Sequence, residues 1–169
     1  MTAIGAIVVV TLRGLLSRRR AVLMLLLAAL PVIVGLLIRL GGGRADAPEI
    51  LDTLVVRTVL PLIALIIGTS AIGSEIEDGT LVYLLVKPVP RWQIALAKLA
   101  VAAVLTAVLV VPPIIVTGVL VGGFGSASLA VAFGYAVAAI VGAAAYAAAF
   151  ATLGTITSRA LVVGLAYTL

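Results

Sequence analysis

The sequence predicts an all-α integral membrane protein: an N-terminal interfacial helix, four complete transmembrane helices and the start of a fifth. Three observations carry this. Of the 169 residues, 64% are hydrophobic and only 10% are charged, against roughly 25% charged in soluble globular chains. Mean hydropathy is +1.41. Apolar runs of about twenty residues recur along the chain, and at 1.5 Å rise per residue such a run covers about 30 Å, the depth of the hydrocarbon core. The net charge of +5 comes from basic residues clustered at the ends of those runs. Membrane topology accounts for that placement, and no nucleic-acid partner is implied.

With no cysteine and no histidine, the chain has no disulfide, thiol nucleophile or histidine base, and lacks the usual zinc and copper ligands. An intramembrane enzyme needs a nucleophile or a metal in the bilayer, and no acidic residue lies deep in any apolar run. An ion-coupled carrier places ionisable groups near the midplane, where these runs have none.

Residues 1–20 carry their basic cluster after the apolar part, so they are not a secretory signal. Arg13, Ser17 and Arg20 fall near one helical face, with Ile7, Leu12, Leu15 and Leu16 on other sides. This pattern predicts an interfacial helix, a plain cytoplasmic tail being the alternative. The first span is Ala21 to Leu40, with a bend expected at Pro31. Residues 41–52 read as a polar loop with no element of its own. The second span is expected over Thr53 to Gly73, with Arg57 beside Asp52 about one turn from its outer end. Arg57 either snorkels to the outer interface or meets substrate or a neighbouring helix.

Ser74 to Lys98 holds six of the seventeen charged residues and is too polar to cross a bilayer. Ser74 followed by Glu77 has the spacing of a capping box, which predicts a helix start. Gly79 permits a turn, Thr80 offers a second cap, and Leu81, Leu84 and Leu85 share a helical face. Pro88 ends that short helix at Lys87, and Pro90 restarts one. Arg91, Trp92 and Lys98 then mark re-entry into lipid. Residues 74–93 are thus expected to form a hairpin with an amphipathic helix flat on the membrane, its polar face free for a partner.

The third span is expected from Ile94 to Val121, where the Pro112-Pro113 pair removes two backbone donors and predicts a break, kink or short re-entrant segment. Residues 122–128 form an uncharged turn. The fourth span, Leu129 to Leu153, bears two ribbons of small residues, Gly134, Ala138, Gly142 and Ala139, Ala143, Ala147. Packing within the chain is the default reading of both, a dimer contact the other. Thr155 to Arg159 is a second turn, and Ala160 to Leu169 begins a fifth run that covers about half a crossing.

With the N-terminus inside, the cytoplasmic side holds eight basic residues, Arg13, Arg18, Arg19, Arg20, Lys87, Arg91, Lys98 and Arg159, and the outer side three, Arg39, Arg44 and Arg57. The bias places the 74–93 hairpin in the cytoplasm.

The pattern formed by Ser74, Glu75, Glu77, Gly79, Thr80, Leu84, Leu85, Pro88, Arg91 and Lys98 resembles the signature of type-2 ABC exporter permeases. Ala97 stands where that family often has glycine, and Pro90 where serine or threonine is usual. The resemblance implies a single six-span permease domain in the plasma or inner membrane, multi-pass, with a cytoplasmic N-terminus. It implies that the hairpin couples the permease to a separate ATPase subunit, which binds ATP and Mg, and that a second permease copy or paralogue completes a dimer. The nine residues from Glu75 to Lys98 in that pattern are the candidate coupling residues. Glu75 and Glu77 are expected to contact the ATPase or to hold the hairpin to Arg91 and Lys98, a helix cap being their plainer role. The chain has no G-x-x-x-x-G-K-[ST] loop, so no cofactor is expected on it and it is not itself an enzyme. A non-transporting membrane anchor or assembly factor is the alternative function. Against a six-span family, a chain ending ten residues into its fifth run reads as a C-terminally truncated fragment, expected to assemble poorly with its ATPase.

Overall fold

The computed structural model describes residues 18–42, 46–77, 91–157 and 160–168. Where lipid replaces water, every backbone polar group must pair within its own segment, and the described residues are accordingly helical without a strand. The helices are α1 (Arg18–Leu40), α2 (Ala47–Ile50), a π-helical segment (Leu51–Val59), α3 (Leu60–Glu77), α4 (Arg91–Gly122), α5 (Ser126–Ile156) and α6 (Ala160–Thr168). Four candidate membrane spans arise among them: Arg20–Leu40, Ala47–Ala71, Trp92–Gly122 and Ala127–Ile156. The interfacial helix expected over residues 1–20 lies outside the described residues, apart from its last three, which open α1.

α1 runs unbroken through Pro31. It buries Met24, Ala28, Pro31 and Gly35 and exposes Leu23, Leu26, Leu30, Ile33 and Leu37. Both sets recur at spacings of three and four, the two faces of one helix. The exposed face is built of large branched side chains and suits contact with lipid tails. At its end the Gly41 N–H donates to Leu37 O at 2.9 Å, and Gly42 turns the chain away at φ +66°.

The loop expected over 41–52 is shorter than the sequence suggested, because helix resumes at Ala47. Its start signals are Pro48 in the first turn and Glu49 beside the helix N-terminus. The second span is therefore longer at this end than its apolar run. From Leu51 to Val59 it winds as a π-helix before continuing as α3. Pro61 supplies a physical cause: a proline ring inside a helix clashes with the carbonyl four residues back, here Arg57, and a wider preceding turn relieves that clash.

α4 is one helix of 32 residues with Pro112 and Pro113 inside it. The break or re-entrant segment expected there does not form. Proline's fixed φ is itself helical, and α4 is held on two sides, by α1 and by α5. Val110, Pro113, Ile114 and Thr117 are buried at this level.

The tight turn between α4 and α5 is made by glycine. Gly123 takes φ +78° and its N–H closes on Val119 O at 2.9 Å. A Cβ on Gly122 would lie 2.6 Å from the Cβ of Ser128, closer than side chains approach. The Ser128 hydroxyl lies within hydrogen-bonding reach of Gly123 O (2.7 Å) and Gly125 O (2.9 Å).

The second span is the most enclosed, with half of its apolar window buried against a third or less for the others. Leu51, Val55, Val59, Ile63 and Ile67 from it meet Val110 and Ile114 of α4 and Ala136, Ala139 and Ala147 of α5 in one core. Of the two small-residue ribbons on α5, Ala139, Ala143 and Ala147 are at most 1% exposed and carry the internal packing. In the other ribbon a Cβ on Gly142 would lie 3.5 Å from the Leu60 side chain, while Gly134 and Ala138 are exposed.

Candidate functional site

Residues 78–90, most of the expected hairpin, lie outside the described residues; they connect α3 to α4, two helices that pack against each other. Of the expected coupling residues, Gly79, Thr80, Leu84, Leu85 and Pro88 lie outside the described residues. For Glu75 and Glu77, and for Ser74 before them, the backbone alone is described, and it is helical. This corrects the capping-box reading. An N-cap residue has non-helical backbone, whereas Ser74 sits inside α3, which continues to Glu77. Residues with the spacing of a helix start here lie within a helix that began at Leu60. The helix passes through Gly68 and Gly73 without a break, and an unbroken helix keeps its carbonyls paired as it leaves the apolar layer.

Arg91 opens α4, immediately after Pro90. Trp92 is 62% exposed, as an interfacial residue would be. Lys98 is not: it is 2% exposed, on the face that also buries Ile94, Val101 and Ala102. Those positions recur at i, i+4 and i+7/i+8, the packed side of α4. The reading of Lys98 as a marker of the interface therefore gives way to a buried, packing-constrained position two turns into the helix. Thr69, Thr106 and Thr117 are the other polar residues buried among those described. Thr69 and Thr106 donate to carbonyls one turn back, Leu65 O at 2.6 Å and Ala102 O at 2.8 Å.

At the hairpin end, α3 is seated almost backbone to backbone on α5 and close against α6. A Cβ on Gly68 would lie 2.9 Å from the Cβ of Phe150 and 3.4 Å from Ala147 O. A Cβ on Gly154 would lie 3.1 Å from Thr69 O and 3.3 Å from Thr69 Cα. A Cβ on Gly164 would overlap the Leu65 side chain. Three glycines on three helices thus form a seam that fixes the position of α3 just before it enters the hairpin. Sequence reasoning missed this seam, because isolated glycines in apolar runs carry no spacing signal that names their neighbours.

Beside the seam, α5 and α6 border a cavity of about 410 Å³ lined by Ala145, Tyr146, Ala149, Phe150, Leu153, Val163 and Gly164. Tyr146 and Phe150 stack with ring centroids 5.9 Å apart. With no charged side chain on its walls, the cavity suits an apolar group. Among the described residues, no cluster of acidic side chains is placed to hold a metal ion.

The other charged feature of the second span is at its opposite end. Arg57 Nη2 pairs with Asp52 Oδ2 at 2.8 Å, with 72% and 37% of the two side chains exposed. This partner belongs to the same helical segment, so the pair is not the contact with a neighbouring helix that was one of the expectations for Arg57.

Comparison with known proteins agrees with this architecture. Neither the curated proteins nor the solved structures include a match to the chain. The family model described as ABC-2 family transporter protein matches residues 16–169, nearly the whole sequence. This multi-pass membrane protein belongs to the ABC-2 transporter family.

Proposed function

We propose that the chain is the membrane-spanning permease subunit of an ABC exporter, driven by a separate ATPase that docks on the 74–93 hairpin. The observation that carries the proposal is the family match over residues 16–169. Two further points support it. The chain lacks a phosphate-binding loop, so ATP and Mg belong to the partner subunit. The second span is also one continuous helical rod from mid-membrane into the hairpin, seated on glycines at that end, and such a rod transmits a push without absorbing it.

In this reading the hairpin faces the cytoplasm of a plasma or inner membrane. Closure of two ATPases presses on the hairpins of two permease copies, and α3 and α4 tilt together because they pack against each other. Glu75, Glu77, Gly79, Thr80, Leu84, Leu85, Pro88 and Arg91 form or shape the docking surface. Lys98 acts from within the packed face of α4, holding that helix in position. The apolar interior suits a hydrophobic or amphipathic cargo such as a lipid, peptide or drug.

The test is co-expression with an ATPase encoded beside this reading frame, followed by purification and reconstitution. The proposal expects a complex whose ATP hydrolysis depends on this subunit and falls severalfold in the Glu75→Gln/Glu77→Gln double variant or in Gly79→Val, at unchanged membrane insertion. An ATPase that neither co-purifies nor responds to the subunit would leave a membrane anchor or assembly factor as the function.

A further inference from the structure

The π-helical stretch of the second span is nine residues long, Leu51 to Val59, whereas π geometry is usually confined to a single turn within an α-helix. Three contacts here share one spacing. The Leu60 N–H donates to Val55 O, the Thr58 hydroxyl donates to Thr53 O at 3.0 Å, and Arg57 pairs with Asp52 at 2.8 Å. All three join residues five apart. In an α-helix such residues stand roughly 140° apart around the axis, on opposite sides. In a π-helix, whose own hydrogen bonds run i to i+5, they stand nearly above one another. The ion pair and the hydroxyl bond are therefore satisfied by the π winding and lost in the α winding.

At the lower border Pro61 has no N–H to give and crowds the Arg57 carbonyl, which weighs against α winding from the other side. Between them, Asp52, Thr53, Arg57 and Thr58 lie on the face left open by the core, while Leu51, Val55 and Val59 hold the packed face.

We infer that the Asp52–Arg57 ion pair is a register lock, which keeps the end of the second span in π form and whose opening lets the segment rewind toward α. Rewinding changes the number of residues per turn, so it rotates the α3 rod against α2 about the helix axis. The lock thus sits at one end of the rod whose other end enters the hairpin. It makes the second span a helix with a rotary joint. The inference concerns the winding of this chain alone and is tested without any ATPase, so its failure and that of the transport reading are separate results.

The absence of native cysteine makes the test direct. Thr53→Cys/Thr58→Cys reports the i to i+5 distance through a short bifunctional methanethiosulfonate reagent, applied to the full chain in membranes and read by mass spectrometry. With Asp52 and Arg57 intact, the two thiols should bridge efficiently. Adding Arg57→Gln should lower the bridged fraction severalfold, and adding Pro61→Ala to that should lower it further. The charge swap Asp52→Arg/Arg57→Asp, which restores an ion pair at the same spacing, should return the yield to that of the parent. A parent that bridges poorly, an Arg57→Gln variant that bridges as well as the parent, or a swap that fails to restore bridging would each overturn the lock.

Discussion

The two ends of the second span solve the same packing problem in opposite ways. At the hairpin end, α3 is a regular helix; Gly68 and Gly154 bring backbones close and Gly164 admits the Leu65 side chain, so that there is almost no room to adjust. At the other end the helix is π-wound, follows the open polar face of Asp52 and Arg57, and lies beside an α4 carrying Pro112, Pro113 and a buried Thr117 hydroxyl without a partner. Small residues and regular hydrogen bonds make a stiff seam; prolines and locally satisfied polar groups make a deformable one. In the proposed coupling, a helix that is stiff at the hairpin end and deformable at the far end would turn a push into rotation or tilt.

The contrast predicts unequal sensitivity to substitution. Gly154→Leu should have the largest effect, because its side chain would meet the Thr69 backbone, which cannot swing away as a side chain can. Overpacking of this kind costs about 1–3 kcal/mol, read as a lower unfolding temperature of the purified protein in detergent. If Gly154→Leu is as stable as wild type, the seam is not a tight one.

Thr117→Val should move stability the other way. It removes a buried hydroxyl that has no hydrogen-bond partner in a helix already short of two backbone donors. Relief of one unsatisfied polar group is worth about 1 kcal/mol, and the same thermal measurement should show a gain. A loss would mean that the hydroxyl is satisfied in the membrane.

Arg57→Gln should change global stability least, by under about 1 kcal/mol, since exposed ion pairs contribute little. Its effect should fall on the winding of residues 51–59 instead. A large drop in unfolding temperature would make the Asp52–Arg57 pair a structural strut and remove the contrast between the two ends.

What the sequence made legible follows the same division. The four spans could be read directly, because bilayer thickness sets their length and composition marks their interiors. The internal packing of Ala139, Ala143 and Ala147 was also readable, since a ribbon of small residues has few other uses in lipid. Local motifs misled where the continuity of a membrane helix overrode them. Ser74 and Glu77 have the spacing of a cap, yet they continue a helix that started at Leu60. The Pro112-Pro113 pair looked like a break, yet α4 passes through it. Lys98 looked interfacial by type but belongs by spacing to the buried set of Ile94, Val101 and Ala102. The π segment had a sequence cause in Pro61, but a proline near a helix start usually reads as benign. It becomes disruptive only because helix resumes as early as Ala47.

The proposed coupling requires the hairpin to lie on the side from which an ATPase can reach it, and cysteine accessibility tests this most directly in a chain without native cysteine. Phe124, 79% exposed in the turn between α4 and α5, and Asp78, immediately after α3, lie on opposite sides of the membrane in this topology. In intact cells Phe124→Cys should react with an impermeant maleimide, and Asp78→Cys should react only after the membrane is opened. The reverse pattern would put the hairpin outside and contradict both the orientation and the coupling role.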